Sequence, residues 1–214
     1  MEEPLTSPLV IVGAGGHGRV VADLARRAGH TVKGFLDHGF ERMVEGFPIL
    51  GGDEYLGSTP DRDIRIAMGL GSRKTWERRR ALCDRIHHLG MSAPRLIDPD
   101  ASIASTVDVG RGTQVFMGAR VQNGAWIGEW CIVNTAAVIE HDCRIYSGAH
   151  IAPGSVLCGG VIVGEKAFVG AGSVVKEGVS IGSSATVGLG AVVIHDVADG
   201  QTVVGVPARG IDGN

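Results

Sequence analysis

Ile139-Glu-His-Asp-Cys-Arg-Ile145-Tyr-Ser-Gly-Ala-His-Ile151-Ala-Pro-Gly-Ser-Val-Leu157 is the stretch whose period decides the fold. A branched aliphatic residue returns at every sixth position. Counting outward, the register holds through Ile97, Ile103, Val109, Val115, Val121, Ile127 and Val133, and on through Val163, Val169, Val175, Ile181, Val187 and Val193. Four residues after each comes a second, mostly small side chain: Ala101, Thr113, Ala119, Ala125, Cys131, Ala137, Cys143, Ala149, Ser155, Ala167, Ser173, Ala185 and Ala191, with valine at 107, 161, 179 and 197. A period of six fits neither an α-helix nor plain strand alternation. It marks a parallel β-helix, whose coils each bury an aliphatic residue against their neighbours.

The repeat resembles the left-handed β-helix of hexapeptide-repeat acyltransferases. In that family three hexads close one triangular coil, so residues eighteen apart stack at a strand spacing of about 4.8 Å. Handedness comes from the resemblance, since parallel crossovers are ordinarily right-handed. A narrow prism has room for one bulky side chain per face, which accounts for the small second position.

The chain has 214 residues and a formal net charge of −3, without a basic run. That balance argues against nucleic-acid binding. Of the 34 glycines, the 16 within the periodic segment from Ile97 to Val193 read as coil corners. The four cysteines lack metal or redox spacing. Cys131 and Cys143 occupy small inward slots, as buried thiols do in a reducing compartment. Without a signal segment or a membrane-length apolar run, the expected location is the cytoplasm.

Ahead of the repeat, Met1–Ser7 reads as a disordered lead. Leu9–Val12 is an apolar run that breaks into Gly13-Ala-Gly15-Gly16-His17-Gly18. A helix follows through Ala28, with Val20, Val21, Leu24 and Ala25 as its buried face and Gly29 as its C-cap. Thr31–Leu36 reads as a second strand ending in Asp37. Pro48–Gly52 reads as a loop, Arg65–Leu70 as a strand, and about Arg73 to Leu89 as a charged helix. The spacing Gly13-x-Gly15-x-x-Gly18, with an acid about twenty residues on, is the formal dinucleotide fingerprint. The repeat begins too soon for a second half, so the expectation is a three- or four-stranded half-domain rather than a full NAD domain. Its glycine-rich turn is either a seat for a nucleotide diphosphate at a helix N-terminus or a structural turn, with His17 a diphosphate donor or an ordinary turn residue.

Within the repeat, Glu140-His141-Asp142 sets an imidazole between two carboxylates where a coil turns. Eighteen residues either way lie Asn123-Gly124 and Gly159-Gly160, so backbone free of side chains stacks over His141. A histidine exchanges protons near neutral pH, and an adjacent acid fixes its tautomer, which suits a general base. Stacked zinc ligands would fall at 123, 159 and 177, which are Asn, Gly and Glu, so no metal is expected.

Val12-Gly-Ala-Gly-Gly-His-Gly18, Gly34-Phe-Leu-Asp37, Pro48-Ile-Leu-Gly-Gly52, Ile139-Glu-His-Asp142 and Val203-Val-Gly-Val-Pro-Ala-Arg209 together resemble the acetyltransferases of nucleotide-linked amino sugars. The resemblance spans Leu9 to Arg209 and implies an α/β half-Rossmann domain over 1–95 and a β-helix over 96–214. It implies acetyl transfer from acetyl-CoA to the C4 amine of a nucleotide sugar, GDP-perosamine first and a UDP-linked 4-amino sugar next. The alternatives are a sugar O-acetyltransferase or a nucleotide-binding scaffold without chemistry. His141 would be the base, Asp142 its orienter and the Gly159 N–H the oxyanion donor. Gly13, Gly15, Gly16, His17, Gly18 and Asp37 would hold base and diphosphate, and His150 would lie near the sugar. Coenzyme A would run past Gly159, Ala171, Gly188 and Pro207, without an acyl-enzyme on inward-facing Cys143. The family also implies a homotrimer with sites shared between chains. Phe116, Met117, Trp126, Trp130 and Phe168, outward and bulky, are the expected contact surface.

Overall fold

The computed structural model describes residues 7–39, 42–58, 63–71 and 75–211. The expected N-terminal lead, apart from Ser7, lies outside them, as does the expected helix start at Arg73. The chain divides into two compact units, Met1–Leu96 and Ile97–Asn214.

In the first unit, β1 (Leu9–Val12), α1 (Gly16–Arg27) and β2 (Val32–Leu36) form a parallel βαβ element. β3 (Met43–Val44), β4 (Phe47–Gly51), α2 (Tyr55–Ser58), β5 (Arg65–Met68) and α3 (Trp76–His88) follow. The sheet order is β3-β4-β2-β1-β5, one strand more than expected. The addition comes from Pro48–Gly51, a strand and not a loop. Glu45 and Gly46 both take positive φ (52° and 80°), as a two-residue hairpin turn requires, and fold β4 back antiparallel to β3. β4 then lies parallel to β2.

β1 is wholly buried. α1 buries Gly18, Val21, Ala22, Leu24 and Ala25, whereas Val20 is half exposed. At 100° per residue, position 20 falls outside the arc those five span. The helix ends as its sequence directs. Gly29, at φ 82°, donates to Arg26 O at 3.0 Å, and the His30 N–H donates to Ala25 O at 2.9 Å, a Schellman pair.

The second unit is a left-handed parallel β-helix of two-residue strands. Its first face runs through six strands from Ser102–Ile103 to Val192–Val193, and its second through five from Asp108–Val109 to Ser180–Ile181. The third comprises eight, from Leu96–Ile97 to Arg209–Ile211. The pairings up to Val193 join residues eighteen apart, as in Ile139 with Leu157, and the offset shortens to sixteen where Thr186 pairs with Thr202. The last pair breaks the pattern: Arg209–Ile211 runs antiparallel to Thr202–Val204. Along the axis the core is the expected column, including Val121, Ile127, Val133, Ile139, Ile145, Ile151 and Leu157. The inward hydroxyls stay satisfied. Thr113 donates to Gly128 O, Ser155 to Ala152 O and Ser173 to Gly170 O, each at 2.7 Å.

Beyond the first corners, at Asp100 and Thr106, the hexads turn at a residue in left-handed conformation. From Gly112 to Gly190 every sixth residue has φ between 55° and 76°. Nine are glycine; Trp130, Ala136, Asp142, Lys166 and Ser184 are not. Trp130 corrects one expectation. It is 9 % exposed and lies over Gly112, and Phe116 is 3 % exposed, so neither is an apolar group left in water. Met117 remains exposed, while Trp126 and Phe168 are half-buried.

His30 sets a pH limit on the first unit. Its ring is buried and Nδ1 has no partner; burial, then the Arg65 charge, lowers its pKa from 6.5. An unfolded chain therefore binds the proton more readily, and stability falls as pH drops below about 6.5. His30→Leu should flatten the fall in melting temperature between about pH 6.5 and pH 5, measured by circular dichroism; an unchanged slope would assign the effect elsewhere.

Candidate active site

Two constellations carry chemistry, one in each unit. In the first, the topology dictates the place. The chain leaves β1 for β2 on one side, and β5 pairs with β1 on the other, so the carboxyl ends of β1 and β5 flank a switch point. Gly13 follows β1 at φ 101°; Gly69, Leu70 and Gly71 follow β5. The glycines there do different work. A methyl group on Gly18 would sit 1.9 Å from Gly13 O, and one on Gly69 would sit 2.4 Å from the same oxygen, so both are required by close backbone approach. A methyl group on Gly15 or Gly16 would meet nothing within 4 Å. Helix α1 begins at Gly16, so Gly16, His17 and Gly18 form its first turn behind the side-chain-free N-cap Gly15. That turn carries no acid and presents the positive end of the helix to open space.

Asp37 braces this loop. The Ala14 N–H donates to its Oδ2 at 2.9 Å and the Gly39 N–H to its Oδ1 at 2.8 Å. The His17 ring lies on Gly71, where a methyl group would come within 2.5 Å of Cγ. Gly69 and Gly71 were missing from the sequence expectations. Their signal was the Gly-Leu-Gly that ends a strand adjacent to β1, legible only once strand order is known.

In the second unit His141 and Asp142 occupy one corner, and Asp142 is its left-handed residue at φ 60°. The Asp142 Oδ2 accepts from His141 Nδ1 at 2.9 Å, leaving the Nε2 lone pair free. The Gly160 N–H donates to His141 O at 2.8 Å, which sets Gly159 over the ring. A methyl group on Gly159 would lie 2.5 Å from Nε2. Among the described residues the Gly159 N–H makes no hydrogen bond. An imidazole, its carboxylate partner and a backbone N–H therefore meet at one corner, on the open surface: the His141 and Asp142 side chains are 65 % and 72 % exposed.

The other candidates stand in different columns. His150 lies on the third face, edge-on to Phe168 at 5.2 Å. Its Nε2 is 3.2 Å from Asn134 Nδ2, a partner the sequence expectations missed because the pair is sixteen residues apart and diagonal to the stack. Asn134 Oδ1 accepts from the Thr135 N–H, so Nδ2 donates to His150, which places the imidazole proton on Nδ1. Ala171 stands at the preceding corner and accepts from the Gly190 N–H at 2.9 Å. Gly188 abuts Val204, and Pro207 is exposed in the turn before the last strand. Among the described residues no three His, Cys, Asp or Glu side chains gather as metal ligands, and no helix is long and apolar enough to cross a membrane.

A β-helical hexapeptide-repeat protein with a histidine–aspartate corner and a nucleotide-type α/β unit defines a class, the left-handed β-helix acyltransferases. The comparisons narrow it. Residues 8–85 match the PglD N-terminal domain family. The acetyltransferase domain of PglB from Neisseria gonorrhoeae superposes with a TM-score of 0.92 at 36 % identity, over 96 % of this chain and 100 % of that one. A histidine-to-asparagine variant of perosamine N-acetyltransferase from Caulobacter crescentus, in complex with CoA and GDP-perosamine, gives 0.92 at 36 % identity over 97 % and 98 %. WeeI from Acinetobacter baumannii gives 0.87 at 26 % identity over 96 % and 100 %. The chain belongs to the hexapeptide-repeat nucleotide-sugar N-acetyltransferases.

Cys143 lies next to the dyad, yet it faces the core and burial pushes its thiol up to about 11. At pH 8 about one molecule in a thousand would hold the thiolate. Native iodoacetamide treatment at pH 8 should label half-buried Cys83 and Cys158 before Cys143, read by peptide mass; labelling of Cys143 first would contradict its inward placement.

Proposed function

We propose that this acetyl-CoA-dependent sugar N-acetyltransferase acetylates the C4 amine of a nucleotide-linked 4-amino sugar, with GDP-perosamine the first acceptor to test. The observation that carries the reading is the free Nε2 of His141 beneath Gly159, with Nδ1 held by Asp142. Nε2 takes a proton from the amine as its nitrogen attacks the thioester carbonyl. The carbonyl oxygen gains negative charge, which the Gly159 N–H receives. Collapse expels coenzyme A as its thiolate and leaves the amide, without an enzyme-bound acyl group. Asp142 keeps the proton of the resting ring on Nδ1, so the base is aimed at substrate.

The acceptor's diphosphate is assigned to Gly13, Gly15, Gly16, His17 and Gly18, in the open space at the start of α1, and Asp37 holds that loop in shape. His150, with its proton on Nδ1, serves the sugar. The acetyl donor passes Gly159, Ala171, Gly188 and Pro207, mostly through backbone. GDP-perosamine appears with CoA in the Caulobacter crescentus complex, which supports that sugar nucleotide over others.

The two assignments have opposite kinetic signatures. His141→Asn should bind both substrates and lose on the order of a hundredfold or more in kcat. Gly16→Val, filling open space, should raise the KM for the sugar nucleotide far more than that for acetyl-CoA, and NAD should show no calorimetric binding. A panel of GDP- and UDP-linked amino sugars and their hydroxyl analogues, read by product mass, identifies the acceptor. Turnover of His141→Asn near the wild-type level would refute the base; acetylation of the hydroxyl analogues alone would refute the amine.

The same reading makes the working form a homotrimer with three shared sites. Exposed Met117, Tyr146, Ile162 and Val174 support it as apolar groups on the outside of the β-helix. Light scattering at assay concentration should give three times the 22.2 kDa chain mass; a fully active monomer would overturn the shared site.

A further inference from the structure

We infer that Gly124, one coil below the dyad, is a positioning residue that seats the Asp142 carboxylate against His141; this rests on His141 as the base. A methyl group on Gly124 would lie 2.5 Å from Asp142 Oδ1 and 3.5 Å from its Cγ. The opposite oxygen, Oδ2, is the one that accepts from His141 Nδ1. The carboxylate thus fills the space between the bare α-carbon of Gly124 and the imidazole. Anything larger than hydrogen at 124 must displace it.

Backbone conformation alone does not account for this glycine. Gly124 has φ 74°, the left-handed value shared by every corner from Gly112 to Gly190. Ala136 and Ser184 adopt that conformation with a side chain, so the corner admits one. At Gly154, Gly172, Gly178 and Gly190 an added methyl group would meet nothing within 4 Å. At Gly124 it meets the orienter of the base.

The floor is itself fastened unusually. Up this column the corner rungs are backbone to backbone: Asp142 N–H to Asn123 O, Gly160 N–H to His141 O, Gly178 N–H to Gly159 O. At Gly124 a side chain takes over. Its N–H donates to Thr106 Oγ1 at 3.1 Å, and the Thr106 hydroxyl donates to Asn123 Oδ1 at 2.6 Å. One hydroxyl therefore ties together both residues beneath the dyad. The aspartate is the far end of a flexible side chain and can yield without disturbing the coil. An added methyl group costs the Asp142–His141 bond rather than the fold.

The test is the kinetics of Gly124→Ala, with Gly200→Ala as the control for an alanine at positive φ in open space (φ 68°). Gly124→Ala should lower kcat about tenfold or more while both KM values stay within about twofold. In an Asp142→Ala background it should cause no further loss, because the group it acts through is gone. Thr106→Val, which loosens the floor without adding bulk, should lower kcat in the same direction. Wild-type kcat in both Gly124→Ala and Thr106→Val overturns the inference, as does a loss that persists in the Asp142→Ala background. If His141→Asn is inactive while those variants are not, only the positioning role fails. If His141→Asn is active, the base assignment beneath it fails.

Discussion

The second unit depends on one repeated constraint: at each corner from Gly112 to Gly190 one residue takes a left-handed backbone. For an ordinary L-residue that conformation costs roughly 1–2 kcal/mol. Glycine removes most of the cost at nine of fourteen successive corners; the rest is offset by the aliphatic column inside. Burying one such side chain contributes about 1.5–3 kcal/mol, so each hexad can carry a strained corner. Aspartate is among the L-residues that tolerate this conformation best. The acid beside His141 thus stands where the coil would accept glycine, and its carboxylate projects from backbone fixed by rungs above and below. The geometry of the dyad is inherited from the corner.

The first unit uses glycine for a different reason. Gly18 and Gly69 crowd the same carbonyl oxygen of Gly13, so bare α-carbons let helix, strand and loop converge at the switch point. Gly15 and Gly16 face outward and are not needed for packing. In a six-residue motif the structure thereby separates glycines that build the turn from those that leave it open.

Much of this was legible in the sequence because stacking at eighteen turns a β-helix into a ruler. Ile139, Leu157 and their column, the corner placement of His141 and the position of Gly159 above it all follow from counting. What escaped was whatever runs diagonal to the ruler or depends on strand order. Asn134 reaches His150 across a sixteen-residue offset, and Gly69 meets Gly13 only because β5 lies beside β1. Pro48 suggested a loop, yet a strand paired antiparallel to so short a neighbour can accommodate a residue without an N–H. Trp130 counts as outward because it falls outside the two inward columns of the repeat. Its indole instead folds down over Gly112, a contact set by neighbour size rather than period.

The antiparallel return at the end of the β-helix matters for solubility. A parallel coil stack terminates in unpaired amide and carbonyl groups at the spacing of the next coil, a template on which further chain could grow. In the third face Arg209–Ile211 reverses direction and occupies the edge that Thr202–Val204 would otherwise present. The outermost strand is then three residues long, runs the wrong way for another coil and carries Arg209. Short, charged edges discourage pairing between chains. The hairpin closes that face to a further parallel coil, so the extendable repeat ends there on an edge of a different kind.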